Sequence, residues 1–141
     1  MLKKSITYTD YNDEERTEDF YFNLSKAELM EMQMSTEGGL NTKIHKIIET
    51  KDVPSIIKIF KEIILKAYGE KSDDGRRFIK IDENGQPLAN KFMQSEAYSV
   101  LFMELSSDSK AAAEFINGLV PQDISKNTNL TALESGEGVN K

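Results

Sequence analysis

The side chains best equipped for chemistry in this chain are gathered in the run Ala67 to Phe78, AYGEKSDDGRRF. It holds carboxylates at Glu70, Asp73 and Asp74, an ammonium at Lys71 and guanidinium groups at Arg76 and Arg77, flanked by the rings of Tyr68 and Phe78. Acid–base catalysis needs two titrating groups whose surroundings push their pKa values apart, and adjacent acids in a polar turn share one environment. Protein recognition asks for less. A guanidinium beside an aromatic ring offers planar stacking, directed hydrogen bonds and apolar area in one patch, the composition of an interface anchor. Tyr68, Lys71, Asp73, Arg76, Arg77 and Phe78 are therefore candidate protein-contact residues. The same arginines also suit a bracing role, paired with Asp73, Asp74 or Glu70 to hold the link in shape. A second candidate contact lies upstream, where Met30, Met32 and Met34 place three thioethers in five residues. Flexible, polarizable Met chains repack around varied partners, and they equally fill ordinary cores.

Other reactive types are sparse. His45 is the only histidine and Cys is absent, so neither a multi-imidazole metal site nor a thiolate nucleophile or disulfide framework can be assembled. The acidic turns Ser72-Asp73-Asp74-Gly75 and Asp82-Glu83-Asn84-Gly85 lack the ligand spacing of a helix-loop-helix calcium site. No nucleophile elbow, phosphate loop or His-Glu-x-x-His is present. The expectation is a non-enzymatic protein with no catalytic residue, metal or cofactor. A net charge of −6, from 18 basic and 24 acidic residues, argues against nucleic-acid binding. No run approaches the roughly 18 apolar residues of a membrane span, so no membrane partner is expected.

The elements that must position these residues follow from periodicity. Leu2, Ile6 and Tyr8 share even parity, and Phe20 and Phe22 repeat it beyond the turn-forming Asp10–Glu15, which predicts an N-terminal β-hairpin over 1–23. Ser25-Lys26-Ala27-Glu28 is a capping box and opens a helix that Gly38-Gly39 closes. Leu40, Ile44, Ile47 and Ile48 mark a further helical segment. Asp52 and Pro54 then begin the strongest one, with Ile56, Ile57, Phe60, Ile63, Ile64, Ala67 and Tyr68 at spacings of three and four. Arg77–Ile81 reads as a short strand turned by Asn84-Gly85, followed by helices over Ala97–Leu105 and from Asp108 to a stop at Gly118 and Pro121. The fold class predicted is mainly α (α+β): a small helical domain with an N-terminal hairpin, one domain over 1–122, and a loosely ordered polar tail over 123–141. Its expected core includes Phe22, Ile57, Phe60, Ile64, Leu101, Phe102, Phe115 and Ile116.

Five segments together carry a family resemblance: Tyr8-Thr9-Asp10-Tyr11-Asn12; Phe22 to Leu29, FNLSKAEL; Tyr68 to Phe78, YGEKSDDGRRF; Glu96 to Leu105, EAYSVLFMEL; and Phe115 to Pro121, FINGLVP. In order and spacing the chain resembles the tail assembly chaperones of long-tailed bacteriophages over roughly residues 6 to 122. It departs at Ile81 to Leu88, IDENGQPL, where the resemblance implies a shorter link. The resemblance implies a protein of the host cytoplasm, absent from the mature virion. It would bind the long helical tape measure protein in several copies, keep it soluble and leave when the tail tube polymerises. It also implies self-association and a frameshifted longer form in related phages. The alternative is a structural tail or connector protein retained in the particle, to which the hairpin would contribute a sheet edge.

Overall fold

The computed structural model describes residues 1–35, 38–39, 42, 49–50 and 53–119, with Val53 described in its backbone only. Apart from Thr42, the predicted helix over Leu40–Ile48 lies outside these residues, as do His45, the Asp52 cap, Pro121 and the tail. The chain is α+β, and the hairpin is only half of its sheet. Strands β1 (Leu2–Thr9) and β2 (Glu15–Phe22) pair antiparallel from Leu2↔Phe22 to Thr9↔Glu15. Two further strands extend the sheet in the order β1-β2-β3-β4: β4 (Phe78–Ile79) lies within the strand expected over Arg77–Ile81, whereas β3 (Tyr68–Lys71) falls where a helix end and polar link were expected.

Parity holds as expected: Ile6 and Phe22 are buried, and Leu2, Tyr8 and Phe20 pack against the same core, while Lys3, Ser5, Thr7 and Thr9 face water. The capping box also forms, with the Glu28 amide donating to Ser25 Oγ at 3.1 Å and the Ser25 amide to Glu28 Oε1 at 2.9 Å. It starts α1 (Lys26–Ser35). Helix α2 runs Val53–Ala67 and ends where its last carbonyls are taken up by other segments. One of these bonds comes from the Asn23 amide, 2.8 Å from the Ala67 carbonyl, so Tyr68 opens a strand rather than another helical turn.

A short helix, α3 (Ala89–Met93), escapes sequence periodicity because it spans little more than one turn. Helices α4 (Glu96–Ser107) and α5 (Ser109–Leu119) pack on β1. Asp108 Oδ1 accepts the amides of Lys110 and Ala111 and so begins α5. Gly118 does not stop α5 but lies within it, and a Cβ there would approach Leu2 Cδ1 to 3.0 Å. Its small size lets β1 and α5 meet.

Most of the expected core is confirmed. Phe22, Ile64, Leu101 and Phe115 are buried, and Phe60, Phe102 and Ile116 are half-buried against them. Ile57 is the correction: it is 38% exposed. The fully buried part of α2 is its C-terminal half, Ile63, Ile64 and Ala67, where the helix runs into the sheet. Rings bind the two layers together, with Phe22 edge-on to Phe115 at 5.2 Å and Phe92 stacked on Tyr68 at 4.5 Å and 6°.

Candidate protein-interaction surface

The charged run Ala67 to Phe78 is a built β-hairpin with a held turn. Lys71 pairs with Phe78 and Glu70 with Ile79, which puts Ser72–Arg77 at the tip. Ser72 is buried, its amide bonds the Arg77 carbonyl at 2.9 Å, and its hydroxyl accepts the Arg77 amide at 3.0 Å. The same hydroxyl donates to Asp74 Oδ1, which also accepts the Arg76 amide. These backbone and hydroxyl bonds hold the Asp74 carboxyl below its usual range. Gly75, at φ +74°, supplies the left-handed step that closes the turn.

The brace is thus Ser72 and Asp74, not the arginines. Among the described residues neither Arg76 nor Arg77 makes an ion pair, and both are exposed with Asp73 and Lys71 on the same hairpin. Asp82 uses its carboxylate likewise, accepting the amides of Asn84 and Gln86 within its own turn. Both acidic turns spend carboxylate oxygens on their own backbone.

The flanking rings divide from the arginines. Tyr68 belongs to the core ring cluster, in contact with Phe20, Phe22 and Phe92. Burial, with Glu70 and Glu18 nearby, raises its phenol pKa. Phe78 lies across Gly69, whose missing side chain would fall 2.6 Å from Phe78 Cε2. Both rings therefore hold the hairpin against the body, and its charged tip faces water.

The methionines also split. Met32 turns inward against the core and lines a groove of about 650 Å³ between α1, α2 and the segment around Ile81 and Pro87. Met30 and Met34, one helical turn apart, are 60% and 78% exposed. Helix α1 has no fully buried residue, and Met30 and Met34 form a small apolar ledge on its outward face among exposed Lys26, Glu31 and Gln33.

Sequence reasoning missed the residue that ties these parts together. Lys80 Nζ donates to the Asn23 carbonyl at 2.7 Å, to Glu28 Oε2 at 2.7 Å and to the Lys66 carbonyl at 2.8 Å. One ammonium thus joins the end of β2, the start of α1 and the C-terminus of α2, where a cation suits the helix dipole. Burial pulls the Lys80 pKa down, against the opposing pull of Glu28. Burial likewise acts to raise Glu28, but the bonds from Lys80 and the Ser25 amide outweigh it and leave that carboxyl lowered. A lone Lys in IKI carries no sequence signal for this role, because its three partners lie far away in the chain. Ile81, on the segment after β4, and Val100 and Met103, three residues apart on α4, are further exposed apolar side chains.

A surface of this kind, with organised turns, exposed guanidinium groups and apolar ledges, is suited to holding another protein. No curated protein and no solved structure gives a significant match. A family model described as phage tail assembly chaperone matches residues 1–139, nearly the entire sequence. By that match the chain belongs to the phage tail assembly chaperones.

Proposed function

We propose that this chaperone binds the tape measure protein in several copies, keeps it soluble and is displaced as the tail tube polymerises. The observation that carries the reading is the ledge of α1: Met30 and Met34 stand out from a helix anchored underneath by Met32 and Leu29. A long helical partner with apolar seams would aggregate if left bare, and adaptable thioethers cover such seams without demanding one sequence. The net charge of −6 keeps coated chains apart. Many weak contacts along one partner give retention through effective concentration while each remains individually releasable, so no nucleotide is required. Copies would associate with one another along the partner in the host cytoplasm, and the particle would mature without them.

Co-expression with the cognate tape measure protein tests this. The chaperone should keep that protein in the soluble fraction and co-purify with it in several copies. Equal precipitation with and without the chaperone rejects the reading, and abundant chaperone in mature particles favours a retained structural component. The hairpin tip gives a finer test. Arg76→Ala with Arg77→Ala should change stability by less than about 1 kcal/mol, because neither guanidinium makes an ion pair among the described residues. The double variant should nevertheless weaken capture of the tape measure protein. A large loss of stability with normal capture would make the tip a structural brace.

A further inference from the structure

We infer that copies of this chain join through their sheets, β1 of one copy adding as an antiparallel strand to the outer edge of β2 in the next. This gives a physical surface to the self-association in the proposed function and can be tested without the tape measure protein. The bonding pattern of the strands supplies the first argument. The Asp10 amide donates across the hairpin to the Glu14 carbonyl, so even residues of β1 bond inward to β2. The amides and carbonyls of Lys3, Ser5, Thr7 and Thr9 then point outward from an eight-residue edge whose side chains at these positions are exposed.

The second edge is less obvious. β3 pairs with β2 only at Tyr21↔Gly69 and Phe22↔Tyr68 and then departs, leaving a cleft lined by Glu18, Asp19, Glu70 and Lys71. Odd residues of β2 bond toward β3, as the Asn23 amide does with the Ala67 carbonyl just beyond the strand. Glu15, Thr17 and Asp19 therefore present unpaired backbone groups to that side. A single sheet thus offers open backbone donors and acceptors along β1 on one side and along Glu15–Asp19 of β2 on the other, which is the requirement for strand addition.

Charge selects a second copy as the occupant. The edge strand β1 carries Lys3 and Lys4 with no acid, whereas Glu15, Glu18 and Asp19 make β2 acidic around Arg16. Copies related by simple translation would place β1 antiparallel to the neighbouring β2. Setting Ser5 opposite Thr17 keeps the solvent faces aligned and brings Lys3 opposite Asp19 and Lys4 opposite Glu18. Asp19 already lies 4.0 Å from Lys3 of its own chain, and in the joined sheet it would sit between two ammonium groups. Pairing β2 with another β2 would oppose carboxylates instead. The joined contact is head-to-tail, so it generates rows of copies rather than a closed pair.

The absence of cysteine makes cross-linking clean. An equimolar mixture of full-length Ser5→Cys and Thr17→Cys chains should form disulfide-linked heterodimers under mild oxidation. Neither variant alone should do so. Ser5→Pro removes an outward amide that the hairpin does not use, and it should weaken self-association in sedimentation by about tenfold with the melting temperature little changed. Self-linking of Ser5→Cys alone, self-linking of Thr17→Cys alone, a native chain monomeric at every concentration, or failure of the mixture to link would each overturn the contact. Because no tape measure protein is present, these results are separate from its solubilisation.

Discussion

Replacing Ile64 by Asp should abolish folding, with a loss above about 4 kcal/mol, enough to consume most of the stability of a small domain. Ile64 is fully buried, and it lies in the part of α2 that meets the sheet, between buried Ile63 and Ala67. A carboxylate there would have to shed its hydration inside a cluster of apolar side chains that includes Phe22, Ile63, Ala67 and Leu101. Proton uptake offers only partial relief, since the acid would still leave polar atoms unpaired among apolar side chains. The check is thermal or urea unfolding followed by circular dichroism. An Ile64→Asp chain that melts cooperatively near the native temperature would show that the C-terminal half of α2 is not the centre of the core. Ile57→Asp provides the contrast, with a loss below about 1 kcal/mol expected at its exposed site.

The contrast between Ile64 and Ile57 also shows what a sequence carries and what it does not. Periodicity places both on the apolar stripe of one helix, and it places that helix correctly. Which end of the stripe is covered depends on where the sheet lies, and that is decided by residues far away in the chain. Where the local signal and the tertiary answer agree, the reading holds: even parity in β1 and β2, the Ser25–Glu28 capping box, and the stripes of α4 and α5. Tyr68 shows the failure. It continues the spacing of α2, yet the Asn23 amide takes the Ala67 carbonyl and the chain leaves the helix there. Gly69 then allows Phe78 to lie across the strand, so a run rich in charge becomes two strands. The candidate contact residues were legible as types but not as neighbours. Arg76 and Arg77 share a hairpin tip with Asp73, whereas Tyr68 serves the core and Met30 and Met34 stand on another element.

Lys80 provides the second large expected effect. Lys80→Met keeps much of the apolar stem but removes three hydrogen bonds, leaving the Asn23 and Lys66 carbonyls and the Glu28 carboxylate without their shared donor. Hydrogen bonds to a charged group contribute more than neutral ones, and stranding a half-buried carboxylate adds to the loss, so about 3 kcal/mol is expected. The pH dependence identifies the cause. Glu28 has a lowered pKa in the fold, so its contribution is present above the unfolded carboxyl value of about 4.3 and is lost as pH falls through the lower folded value. Lys80 is lowered by burial, so its own protonation opposes folding at neutral pH; that cost is relieved only as pH rises through its folded value toward the unfolded one. The native chain and Lys80→Met should therefore differ most near neutrality and converge in acid, where a protonated Glu28 no longer needs a cation. Adding Glu28→Gln to Lys80→Met keeps an acceptor for the Ser25 amide while removing the stranded charge, and should recover part of the loss at neutral pH. A gap between native and Lys80→Met that stays constant from neutral to acid pH, unchanged by Glu28→Gln, would mean that Lys80 works through its two backbone carbonyls alone.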